Sequence, residues 1–417
     1  MGQISDARRG TLTAEVRKAA KQEGVSPDAL RRKVALGRAV VMRKRGRALA
    51  VGEGLRTKVN ANIGMSPDFA NPKDELAKLK AAVRAGTDTV MDLSIGGDVL
   101  RMLKRVVKES PVPVGSVPVY TAVVEAKKKG RGVADLTEDD FFSAVELHLK
   151  AGVNFATVHA AITRRGAELA KNRTLNVVSR GGCFLAAWMR KNGRENPYYE
   201  NFDYLLEMLK ERDAVLSIGD ALRPGCLADA DDRAQLLELA AQGRLAKRSL
   251  AAGVQVICEG PGHMALDRIA RNVRLQKRLC AGAPYYVLGP LVTDLAVGYD
   301  HISGAIGGTV AAAAGADFLC VVTPSEHVAL PTADDVFEGV VASRIAAHAA
   351  DLVKLGDGAR DLEMSVARGK LDWERQFTLA LSAEKARKYR KTRGSRSAAC
   401  SMCGDYCAYR ISGGALG

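Results

Sequence analysis

Three cysteines lie within one short polar run near the C-terminus, Cys400-Ser401-Met402-Cys403-Gly404-Asp405-Tyr406-Cys407. Three thiolates at that spacing can converge on one soft-metal centre. A structural zinc site takes four protein ligands, and no Cys or His follows Cys407. An iron–sulfur cubane held by three thiolates keeps one iron open, a position suited to S-adenosylmethionine (SAM), which the reduced cluster can cleave to a radical. Spacing alone leaves two other readings open. One is a zinc knuckle completed from elsewhere in the chain; the other is a redox-active pair at Cys400 and Cys403.

A second group of residues suits a phosphorylated small molecule. Ser179-Arg180-Gly181-Gly182 precedes an apolar helical stretch, where backbone amides and the Arg180 guanidinium make a phosphate cradle. Asp220-Ala221-Leu222-Arg223-Pro224-Gly225 adds a carboxylate and a second guanidinium. His263 and His327, preceded by Glu259 and Glu326, either share a divalent metal with positions left for water or substrate, or are unrelated hydrogen-bonded residues. His159 is a candidate proton donor or acceptor. The run from Gly54 to Gly64, with Asn60 and Asn62, reads as a ligand-facing loop.

The elements that must position these groups alternate. Short apolar runs at 87–93, 114–120, 154–159, 175–179, 214–218, 254–258, 285–288 and 317–322 are separated mostly by amphipathic helical stretches. Strands with no polar alternation, joined through helices, imply a parallel sheet, and eight units imply a closed α/β barrel of the TIM type. The candidate residues cluster at the C-terminal ends of these runs, where such barrels gather their chemistry. The expected layout is an N-terminal helical cap over 1–75, the barrel over 76–335, C-terminal helices over 336–393 and a mobile cysteine tail over 394–417.

Composition bounds the rest. A chain of 417 residues with 47% hydrophobic content, few aromatics and 41 glycines is a globular α/β protein. Its net charge of +15 is concentrated near the start and before the cysteines, with no aromatic platform or recognition motif for nucleic acid. No run is long enough to span a bilayer, and the five scattered cysteines fit reduced core thiols. The expectation is a cytoplasmic enzyme that engages neither nucleic acid nor membrane.

Several dissimilar motifs in one order carry a resemblance. They are Asn60-Ala61-Asn62, Met91-Asp92-Leu93-Ser94, Val117-Pro118-Val119-Tyr120, Val178-Ser179-Arg180-Gly181-Gly182, Glu259-Gly260-Pro261-Gly262-His263, Gly298-Tyr299-Asp300-His301 and the cysteine run. From about Gly54 to Cys407 the chain resembles the phosphomethylpyrimidine synthase family, an atypical radical SAM family. The resemblance implies conversion of 5-aminoimidazole ribotide to the hydroxymethylpyrimidine phosphate of thiamine through a deoxyadenosyl radical. It implies that Asn62, Met91, Tyr120, His159, Ser179, Arg180, Gly181, Asp220, Arg223, Glu259 and Tyr286 contact the ribotide. It further implies a divalent metal, zinc, on His263 and His327, and a 4Fe-4S cluster on Cys400, Cys403 and Cys407. An external electron donor and a homodimer, one subunit's tail covering its partner's barrel, belong to the same expectation.

The chain also departs from the family pattern. Three residues separate Cys403 from Cys407 where many members have four, and Ile95, Thr121, Ala161, Ala221 and Val297 differ from the usual residues beside the implied contacts. These differences leave open a relative that makes 5-hydroxybenzimidazole, a cobamide precursor, from the same ribotide.

Overall fold

The computed structural model describes residues 2–395 and 397–415 and contains two compact units, one through Lys354 and one from Leu355 onward. In the first, an antiparallel hairpin, β1 (Ala39–Lys44) and β2 (Arg47–Gly52), precedes eight strands. These are β3 (Lys58–Ile63), β4 (Thr89–Asp92), β5 (Val114–Ser116), β6 (Phe155–Val158), β7 (Val215–Ile218), β8 (Val256–Gly260), β9 (Tyr285–Leu288) and β10 (Phe318–Cys320). They close in sequence order, with β10 returning to β3, and every neighbouring pair is parallel. The TIM-type barrel is therefore the fold of this chain.

Local sequence explains the surrounding helices. The helix Val99–Glu109 starts where the Asp98 carboxylate accepts the Arg101 amide, and it buries Val99, Met102, Leu103 and Val106. That spacing of three and four residues makes one apolar stripe. Truncating a buried member such as Leu103 to Ala costs about 2–5 kcal/mol. Others end on a left-handed glycine, as Glu138–Ala151 does at Gly152.

Two strand expectations need correction. Residues 175–179 form no strand: Asn176 takes a left-handed φ of 52°, and the Asp229 carboxylate takes the Thr174 and Leu175 amides at 2.9 and 3.0 Å. The eighth staff of the barrel is instead β3, inside the segment read as a loop and a cap, so the barrel begins before residue 76. Its inward positions are polar. The Asn60 amide nitrogen donates to Asn62 Oδ1 at 2.9 Å and to the Tyr286 hydroxyl at 2.7 Å, while Thr89 Oγ1 donates to Asn60 Oδ1 at 2.6 Å. The run at 114–120 also splits, because Pro118 opens the helix Pro118–Lys128 directly after β5 and puts Tyr120 in its first turn.

The N-terminal segment closes the barrel mouth opposite the site. Gln255, just before β8, exchanges hydrogen bonds with the backbone of Val41 at 2.6 and 3.0 Å. Asn154, just before β6, donates to the Arg43 carbonyl at 2.6 Å, and Asp213, before β7, accepts the Gln3 amide at 3.1 Å. The hairpin itself turns on Arg45 and Gly46, both at positive φ, as a two-residue turn requires. Among the described residues no helix is long and apolar enough to cross a membrane.

The second unit consists of the helices Ala359–Gly369, Trp373–Leu379 and Ala383–Thr392, the cysteine loop, and the helix Ala408–Ala415. Trp373 Nε1 donates to the Ala398 carbonyl at 2.7 Å, and Arg390 lies 4.0 Å over the Trp373 ring while donating to the Ala399 carbonyl at 3.0 Å. These contacts tether the loop that carries the thiols. Of the expected linker 394–397, Arg396 lies outside the described residues.

Candidate active site

Asn62 from β3, Met91 from β4, Glu259 from β8 and Tyr286 from β9 face a cavity that His159, Asp220 and Arg223 also line, just past β6 and β7. Tyr120 completes its wall from the first turn of its helix. The remaining three expected contacts adjoin this cavity. Ser179 caps the helix Arg180–Asn192, its Oγ accepting the Gly182 amide at 3.2 Å and meeting His159 Nε2 at 3.0 Å. The Arg180 guanidinium sits 5.2 Å over the Tyr120 ring and lines the wider opening that shares Asn62 with the cavity. Gly181 is required by packing: a Cβ there would sit 2.5 Å from the His159 ring, and one at Gly219 would sit 2.8 Å from another ring atom. Two glycines thus let the backbone close on the imidazole from two sides.

The interior sets the protonation states. Burial, reinforced by Arg223, pushes His159 down to about 3, so the imidazole is neutral at neutral pH. Burial pushes Asp220 up to about 8 despite Arg223, whose guanidinium donates to Oδ1 at 3.2 Å. Its Oδ2 has no hydrogen-bond partner, nor has His159 Nδ1. Unpaired buried polar atoms are costly, and a polar ligand would relieve that cost. Glu259 is also raised by burial, although Ser217 and Thr157 hydroxyls donate to its Oε1 at 2.6 and 2.7 Å. The Arg223 guanidinium, two carboxyls, an imidazole and the Asn62 amide in the cavity, with the Arg180 guanidinium at the adjoining opening, can grip an anion and read hydroxyls and ring nitrogens.

His263 and His327 do come together, with ring centroids 5.2 Å apart. Their carboxylate partners are Asp294 and Asp300 rather than the nearer-in-sequence glutamates. His263 Nδ1 meets Asp294 at 2.7 Å and His327 Nδ1 meets Asp300 at 3.0 Å. A carboxylate on each Nδ1 leaves each Nε2 available, the arrangement typical of metal-binding imidazoles. Among the described residues no three His, Cys, Asp or Glu side chains converge to hold one ion, so the pair would draw its further ligands from outside the chain. Glu259 serves the cavity instead, and Glu326 accepts the Thr323 amide at 3.2 Å.

The thiols of the second unit influence one another. Amides of Cys403 and Met402 directed at Cys400 hold its thiol below the usual range. Slight burial and the charges of Cys400 and Cys407 push Cys403 up. The loop turns where the Gly404 amide bonds the Cys400 carbonyl at 2.9 Å. The three thiols are near enough to feel one another's charge. Among the described residues they are not gathered tightly enough to form a metal-holding group, so a cluster would have to draw them together.

The profile of the Radical SAM ThiC family matches residues 2–413. The chain belongs to that family. Phosphomethylpyrimidine synthase of Methanopyrus kandleri is 54% identical over 413 residues, covering 97% of this chain and 96% of that protein. Those of Geobacter metallireducens and Pyrococcus furiosus are 52% and 51% identical, covering 98% and 99% of this chain and 96% and 97% of theirs. Among solved structures, Yersinia pestis dihydropteroate synthase overlaps 74% of this chain and 97% of its own at a TM-score of 0.41 and 13% identity, too low to bear on the reaction.

As a radical SAM ThiC chain, the protein carries cavity residues that sequence reasoning missed. Cys320, read as a scattered core thiol, lines the cavity, and Asn62 donates to its Sγ at 3.0 Å. Alternation along β10, where Phe318 stacks on Tyr286 at 4.4 Å, places Cys320 on the same inward face. Thr157, in the cavity wall, and Ser217, which only supports Glu259, were likewise hidden as ordinary small strand residues. None of the five departures lines the cavity itself, although Ile95 lines the adjoining opening with Arg180; Thr121 instead bonds the buried His148 at 2.7 Å, and Val297 is 61% exposed.

Proposed function

We propose that this radical SAM enzyme rearranges 5-aminoimidazole ribotide to 4-amino-5-hydroxymethyl-2-methylpyrimidine phosphate for thiamine. The observation that carries this reading is the cavity in which the Arg223 guanidinium, the Asp220 and Glu259 carboxyls and the His159 imidazole meet at the C-terminal ends of several barrel strands. The pyrimidine product follows the name shared by the full-length relatives.

Arg180 and the amides opening its helix would hold the phosphate. Asp220, Arg223, Glu259 and Asn62 would orient the ribose hydroxyls and the aminoimidazole, and neutral His159 would exchange hydrogen bonds without adding charge. Met91 and Tyr286 would pack the remaining faces. A 4Fe-4S cluster on Cys400, Cys403 and Cys407 would supply one-electron cleavage of SAM. Zinc on His263 and His327, a homodimer in which one tail covers the partner's barrel, an external one-electron donor and a cytoplasmic location complete the proposal. Enclosure by protein matters here because a radical intermediate must be kept from water.

The test is anaerobic incubation of reconstituted, reduced protein with SAM and the ribotide, followed by mass analysis. A hydroxymethylpyrimidine phosphate supports the proposal, and a benzimidazole, or no turnover with an intact cluster, refutes it.

A further inference from the structure

Behind the cavity, two buried ionisable side chains meet the backbone of one residue, Leu222. Glu238, on the helix Arg233–Ala252, is 4% exposed, and its Oε2 accepts the Leu222 amide at 2.6 Å. Arg173 donates from Nη2 to the Leu222 carbonyl at 2.8 Å. The same guanidinium grips Asp232, the N-cap of that helix, at 2.8 and 2.7 Å. Leu222 lies between Asp220 and Arg223, which both line the cavity, whereas Glu238 and Arg173 do not. Burying a carboxyl and a guanidinium is costly, and a turn needing only stability has cheaper solutions.

We propose that Glu238 and Arg173 are positioning residues that clamp the Leu222 backbone from both sides and so fix the aim of Asp220 and Arg223 into the cavity. The clamp rests on the reading that this pair meets the ribotide. One helical turn on, Gln242 Nε2 bonds the Ile218 and Glu259 carbonyls at 3.2 and 3.0 Å, so the same helix face also ties the ends of β7 and β8 together.

The experiment uses the full-length protein and two readouts. Hydrogen exchange across residues 220–225 reports the clamp without any ligand, and calorimetric titration of the ribotide reports its consequence. Glu238→Gln keeps an oxygen acceptor for the Leu222 amide and should leave both readouts near wild type. Glu238→Ala and Arg173→Met should speed exchange in that segment and weaken ribotide binding about tenfold or more, as misplaced contact groups do. Leu245→Ala, a buried truncation on the same helix, serves as a stability control: at a comparable loss of Tm it should change neither readout. Unchanged exchange and binding in either clamp variant, or an equal loss in Leu245→Ala, overturns the inference. If Glu238→Ala does not fold, Arg173→Met decides. If wild-type protein fails to bind the ribotide, the proposed function falls, and the exchange data alone judge the clamp.

Discussion

In the barrel cavity His159 and Asp220 are buried, Glu259 is half-buried, and all three are tied to named partners, whereas in the cysteine loop Met402 and Tyr406 are 90% and 87% exposed. The cavity groups come from strands fixed by a closed sheet, and the energy of the whole barrel holds them in place. The thiols rest on a short loop held by its own amides and by Trp373 and Arg390. One region is preorganised by the fold before any ligand arrives. The other presents soft ligands whose final arrangement a bound cluster must set, because metal binding and local folding are linked. Ribotide recognition and cluster assembly should therefore be separable by mutation.

The largest separation is expected from Cys403→Ala. It should abolish the brown colour, the bound iron and all turnover, while ribotide affinity stays within about twofold because independent sites behave additively. Arg180→Ala should do the reverse, weakening ribotide binding by about 10–100-fold, the value of a lost charge-assisted hydrogen bond, with iron content unchanged. A similar loss observed in both assays for either variant would dissolve the distinction. At the histidine pair, Asp294→Asn should weaken zinc binding by about 10–100-fold while His263 remains to bind it, measurable by competition with a chelator.

The smallest effect sharpens the contrast from the side of stability. An unfolded aspartate ionises near 3.8, and Asp220 in the folded protein near 8. Between those values the unfolded chain holds fewer protons, so rising pH favours unfolding. Asp220→Asn removes that penalty. Its Tm relative to wild type, without ligand, should climb from about pH 4 to about pH 8 by a few degrees and then level off. A difference that is flat with pH would mean that the cavity does not oppose the charge.

Much of the barrel was legible because its strands are short, aliphatic and separated by amphipathic helices. β3 was not, since its inward positions are Asn60 and Asn62 and a polar barrel interior erases the apolar signal. The false strand at 175–179 had the right composition, but Asp229, more than fifty residues away, holds it as a loop. The cavity residues were legible as motifs, yet their hydrogen-bond partners were not. Asp294 and Asp300, which orient the two histidines, and Cys320 in the cavity wall become visible only when the sheet closes. The purpose of the first fifty residues was equally hidden, because Gln255 and Asn154 engage backbone groups there and backbone groups leave no sequence signature.

The most direct measurement is calorimetric titration of 5-aminoimidazole ribotide into the full-length protein stripped of iron. A fold-built cavity predicts saturable binding of one ribotide per chain, with the affinity unchanged when the cluster is restored. Binding that appears only after cluster assembly would contradict it.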